Sequence, residues 1–134
     1  MNSPKIPDLP IISGEIADYQ FDDSGILYSY SKNPKRTIEN ISKNVALVQS
    51  ITQNTPVPLL IFLCDSPIPD KETRIFSKKQ LPILYKAMAM VGKPGLSQLI
   101  MNILFQFSQP PIPMKSFSNK EAAKRWLQQF ITPK

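Results

Sequence analysis

The side chains whose types and spacing could do chemistry fall in one stretch: Asp65, Ser66, Asp70, Arg74, Lys78 and Lys79, with Lys93 further on. Carboxylates such as Asp65, Asp70 and Glu72 are the kind that chelate a metal or divide acid and base roles between them. Here Pro67 and Pro69 separate them, and Lys71, Arg74, Lys78 and Lys79 follow at once, so capping and local ion pairing account for them better. Gly92-Lys93-Pro94-Gly95 could present backbone N–H groups to an anion. It lacks the first glycine of a P-loop, and Pro94 stands where a Ser or Thr would hold magnesium, so an ordinary helix-entry turn is the simpler reading. Cys64 closes an apolar run, where burial raises a thiol pKa and leaves it inert. Histidine is absent from the sequence, which removes the usual base near neutral pH, the His-dependent triads and most zinc sites. The expectation is no catalytic residue, no metal and no cofactor, with the stretch from Asp65 to Lys79 and Lys93 as the place for a ligand or partner.

Composition sets the frame around these residues. At 134 residues the chain suits one domain with one core. Its apolar fraction of 42% argues against disorder, and Pro 14 against Gly 4 marks the edges of elements. The apolar run Leu59 to Cys64 is far shorter than the roughly 18 residues of a membrane span, and the N-terminal residues lack the pattern of a secretory signal. One cysteine permits no internal disulfide, which fits a reducing cytoplasm. The net charge of +6 is uneven: residues 1–30 carry one Lys against five acids, so the positive excess lies in the remainder. Such an asymmetry either favours an anionic partner or keeps a basic face solvated.

The elements that must position the candidate residues follow from periodicity. Pro4, Pro7 and Pro10 disfavour helix and ladder over residues 1–14, which reads as an extended arm before a single domain over 15–134. Ala17 to Asp22 and Ile26 to Ser31 flank a Gly-containing turn and form a hairpin. Asn33-Pro34 offers a cap, and Ile38, Ile41, Val45 and Val48 give a helix over about 35–53. Leu59 to Cys64 is a central strand. Short helical turns are expected over Ser66 to Leu84, where Pro67, Pro69 and Pro82 punctuate the chain and Asp70 and Ser77 offer caps. Tyr85 to Val91 reads as a strand. Leu96, Leu99, Ile100, Ile103, Leu104 and Phe107 share one helical face. Met114 to Phe117 is extended, and Ser118 with Glu121 forms a capping box for a last helix burying Ala122, Trp126, Leu127 and Phe130. Alternating strands and helices after a hairpin require crossovers, hence a mainly parallel sheet.

Tyr85-Lys-Ala-Met-Ala-Met-Val, the helix from Leu96, Pro110-Pro-Ile-Pro-Met-Lys-Ser-Phe-Ser and the final Glu121-Ala-Ala-Lys-Arg-Trp-Leu resemble the small bacterial STAS/SEC14-like proteins of the SpoIIAA-like fold. The motif match covers residues 85–130, and the rest follows the family only in order of elements. The resemblance implies an α/β fold: a mixed, mainly parallel five-stranded sheet with an N-terminal hairpin and helices packed mainly on one face. Its better understood relatives, anti-sigma-factor antagonists, bind a kinase and are switched by phosphorylation of a serine in an Asp-Ser-Ser-Gly loop after the central strand. This chain has Asp65-Ser66-Pro67 there, without the second serine or the glycine, which argues against a phosphoryl switch at Ser66.

The leading functional expectation is a non-enzymatic interaction module, regulatory in role, whose partner surface spans residues 65–79 and the Gly92 turn. Its partner is another protein or a second copy in a dimer. The alternative is a carrier of a small apolar or amphipathic anion, as SEC14-like relatives imply, with Leu99, Met101, Ile103 and Phe107 lining a pocket and Lys93 near the head group. Nucleic acid is not expected, because the aromatic residues sit in apolar patterns instead of interleaving with the basic ones.

Overall fold

The computed structural model describes residues 5–105 and 109–131. Six strands lie side by side in sequence order: β1 (Ile12–Ser13), β2 (Ala17–Phe21), β3 (Leu27–Ser31), β4 (Val57–Phe62), β5 (Tyr85–Val91) and β6 (Met114–Phe117). β1, β2 and β3 pair antiparallel, and β3 through β6 pair parallel. The helices are α1 (Ile38–Thr52), α2 (Lys71–Leu84), α3 (Leu96–Phe105) and α4 (Lys120–Leu127), the last followed by a 3-10 turn, Gln128–Phe130. The sheet thus has one strand more than the five expected. The extra one is β1, a two-residue ladder within the segment whose prolines had argued against any ladder; Pro10 precedes it and leaves the donors of Ile12 and Ser13 available.

The placement of the helices follows from the strand order. A β-α-β crossover is right-handed in nearly every protein, and three crossovers in succession each step one strand in the same direction. They carry α1, α2 and α3 to the same face. Val48 of α1, Leu81 and Leu84 of α2 and Phe105 of α3 meet Tyr19, Leu27, Leu59, Met88 and Met90 there. After β6 the chain turns to the opposite face, where α4 sets Ala123 and Leu127 on Tyr28, Leu60, Ala87 and Ala89.

β5 shows how the sequence assigns faces. Between Val57 and Pro58 of β4 the register skips from Tyr85 to Ala87, so Lys86 is an extra residue in the pairing. The bulge reverses the alternation. Tyr85 joins the face of α1 to α3, while Ala87 and Ala89 face α4 and Met88 and Met90 face the three-helix side. Fully buried alanines at 87, 89 and 123 let α4 lie close on the strand.

Several element boundaries differ from the sequence reading. α1 begins at Ile38, because Thr37 and Asn40 cap it reciprocally: Asn40 N donates to Thr37 Oγ1 (3.1 Å) and Thr37 N donates to Asn40 Oδ1 (2.8 Å). That leaves Asn33 to Arg36 as a loop. Residues 71–84 form one helix instead of short turns. Pro82 sits exposed in its last turn, where it removes only its own donor, and Ser77 bonds back to Thr73 O (2.9 Å) instead of capping. α4 is capped by Asn119, whose Oδ1 accepts from Ala122 N (2.8 Å), in place of the Ser118–Glu121 box. Ala123, not Ala122, is therefore the inward residue, while Trp126 is half-buried between the rings of Phe117 and Phe130.

Candidate functional site

In open parallel sheets ligands bind beyond the C-terminal ends of the strands, and a cavity of about 250 Å³ reaches from the end of β4 over the sheet face beneath α3. Ile61 and Leu63 at the end of β4, Met88 and Met90 of β5 and Met114 of β6 form its floor. Leu96, Leu99, Ile100, Ile103 and Leu104 of α3 form its roof, and the loop from Cys64 to Pro69 forms one side. Two glycines in the β5–α3 turn bring the roof down. A Cβ on Gly92 would stand 3.1 Å from Leu63 Cβ, and Gly95 holds φ at +83°, which side-chain-bearing residues rarely adopt. Leu96 N then donates to Lys93 O (3.2 Å) and Leu99 N to Gly95 O (3.0 Å), which starts α3 over the sheet.

Polar groups on the lining are few: Ser31, Arg36, Asp65, Ser66, Ser77 and the Cys64 thiol. Arg36 immediately precedes the Thr37 cap, and its half-buried side chain folds back under the end of β3. Its Nη1 donates to Lys32 O (2.6 Å) and Pro34 O (2.9 Å), and its Nη2 donates to Ile16 O (3.1 Å). Burial pushes the guanidinium pKa down, opposed by the nearby Cys64 and Tyr19. Asp65 at the mouth pairs with Lys93 across the turn, both side chains being about two-thirds exposed.

The residues singled out from the sequence separate into two places. Asp65 and Ser66 line the cavity, and Lys93 stands at its mouth through the pair with Asp65. Arg74, Lys78 and Lys79 line instead, with Lys71 and exposed Ile75, a wide open groove between α2 and α3. Asp70 caps α2 by accepting from Thr73 N (2.8 Å), and those hydrogen bonds hold its carboxyl below the ordinary value. Cys64 lies past the end of β4 and is half-buried on the lining, not inside a buried strand as expected, because the strand ends at Phe62. Leu99 and Ile103 line the cavity as expected. Met101 lines instead a neighbouring depression of similar volume with Ser97 and Ser116, and Phe107 lies outside the described residues. Sequence reasoning missed Arg36 and the methionines of β5. Alternating Ala and Met in β5 was the available signal for the latter.

Among the described residues, no group of three or more His, Cys, Asp or Glu side chains is placed to hold a metal ion. No helix among them is long and apolar enough to cross a membrane.

This arrangement, an antiparallel hairpin leading into parallel strands with three helices on one face, defines an α/β protein of the SpoIIAA-like fold. It is similar to the crystal structure of an uncharacterized protein from the DUF3478 family with a SpoIIAA-like fold, from Shewanella loihica PV-4. The TM-score is 0.53 at 20% identity, covering 89% of this chain and 91% of that one. More specifically, residues 19–131 match the model of the family described as Domain of unknown function (DUF7793), and the chain belongs to that family. The comparison with curated proteins found no match.

Proposed function

We propose that the protein is a non-enzymatic binder of a small apolar or amphipathic anionic ligand, held in the cavity between α3 and the strand ends. The observation that carries this reading is the cavity itself: its walls are mostly aliphatic and methionine side chains, with few polar groups among them. Its volume of about 250 Å³ falls just below that of pockets for drug-sized ligands, roughly 300–1,000 Å³, so the occupant is small. Methionines suit such a wall, since their unbranched side chains repack around different shapes. The test is fluorescence enhancement of the neutral apolar dye N-phenyl-1-naphthylamine. Saturable one-to-one binding, abolished by the cavity-filling Ile103→Trp in a variant with unchanged circular dichroism, is expected. Failure of the wild-type protein to bind the dye, or undiminished binding by the folded variant, would overturn the reading.

A second reading, the protein-interaction module, draws support from α2. Lys71, Arg74, Lys78 and Lys79 recur at helical spacing with exposed Ile75 between them, a stripe suited to an acidic, partly apolar partner surface. On this reading an acidic partner, or a second copy presenting its acidic residues 1–30, is lost from the combined Lys78→Glu and Lys79→Glu variant but retained by Ile100→Trp, which fills the cavity and lies off the groove.

A further inference from the structure

We infer that Arg36 is the anchor of the bound ligand, and that the ligand's head group is a carboxylate received by the guanidinium fork. The inference rests on the cavity being a binding site and goes further by naming the residue and the chemistry. A guanidinium has five N–H donors. Three are used on the carbonyls of Lys32, Pro34 and Ile16. The Nε–H and one Nη2–H have no protein acceptor among the described residues. Two unused donors on one fixed plane can serve the two oxygens of a carboxylate.

Charge balance on the lining supports the assignment. Arg36 and Asp65 are the charged side chains that line the cavity among the described residues. Asp65 is neutralised by Lys93 and sits at the exposed mouth. No carboxylate forms an ion pair with Arg36 among the described residues, so one positive charge stands half-buried beside an apolar wall. A buried charge without a counter-charge is costly. A monoanion with an apolar tail supplies both what the guanidinium and what Met88, Met90 and Ile103 call for. The three carbonyl bonds fix the side chain before any ligand arrives, so little ordering is needed on binding. Lys93, the head-group candidate in the sequence, is already engaged by Asp65 at the cavity mouth. At roughly 30 Å³ per water-sized group, the cavity holds about eight such groups, the size of a medium-chain acid.

The test is isothermal titration of the wild-type protein with octanoate and with octan-1-ol, which share a tail and differ in the head. Octanoate is expected to bind at least tenfold more tightly. That preference should vanish in Arg36→Gln and return in part in Arg36→Lys, which restores charge but not the fork. Equal affinity of the wild type for acid and alcohol would overturn the anchor while leaving the cavity reading intact, as would a preference that survives in Arg36→Gln. Binding of neither compound would overturn both. The wild-type comparison decides the matter even if Arg36→Gln loosens the loop it staples.

Discussion

Gln20 has both amide groups satisfied inside the protein. Its Oε1 accepts from Ile6 N (2.9 Å) and Tyr30 OH (2.7 Å), and its Nε2 donates to the carbonyls of Ile6 (2.9 Å) and Leu9 (3.1 Å). The side chain is fully buried and ties the N-terminal segment to the sheet. Gln20→Leu strands those partners, and a loss of about 1–3 kcal/mol is expected in urea denaturation. Faster amide exchange at Ile6 should accompany it; unchanged exchange there would mean that the arm is held by something else. Asp18 ties the same region. Burial alone would push its carboxyl up, but hydrogen bonds from Lys32, Ser13 and Lys5 hold it well below the usual carboxylate range. The folded value lies below the unfolded value of about 3.9. The stabilisation is therefore fully present above that value and lost as pH falls through the folded one. Stability of the wild-type protein should drop steeply as pH falls below about 4, and Asp18→Asn, less stable at pH 7, should show a shallower fall over that range. Parallel curves for the two proteins would show that Asp18 does not carry the acid sensitivity.

Elements fit together here through small residues at close approaches. Ala89 of β5 is fully buried in the cluster that also holds Ala123 and Leu127 of α4. Ala89→Leu adds volume that this interface cannot take without moving the helix, at a cost of about 1–3 kcal/mol in thermal or urea unfolding. Gly95→Ala forces an L-residue into a left-handed turn, at about 1–2 kcal/mol. It should also weaken dye binding, because the turn sets the roof of the cavity; retained affinity would separate the turn from the site. These elements were largely legible in the sequence. The strand over 85–91 was read correctly from the Gly92–Gly95 turn that follows it, and the start of α3 from helical periodicity, both of them local signals. α2 was not, because Pro82 signals a break wherever it occurs, and its exposed place in a last turn is settled only by packing. The cap of α1 was misplaced for a related reason: Asn33-Pro34 is a good local start, and the reciprocal Thr37–Asn40 pair is a better one.

At the scale of the whole molecule the two faces of the sheet differ. The α4 face is closed by alanines, leucine and aromatic rings, whereas the three-helix face leaves a cavity where α3 crosses the strand ends and Leu99 remains half exposed. The sequence indicated the end of the sheet at which a site belongs, since Asp65 and Ser66 follow the central strand. It could not indicate Arg36, which reaches the cavity only because β3 and β4 pair in parallel and set the β3–α1 loop beside the Cys64 loop. Long-range pairing of that kind leaves no local pattern to read. The central claim, that this cavity holds a small amphipathic carboxylate, is tested most directly by methyl NMR of methionine-labelled protein titrated with octanoate. Saturable shifts of Met88, Met90 and Met114, with Met101 little changed, are the predicted result. Shifts spread evenly over all the methionines, or none at any of them, would contradict it.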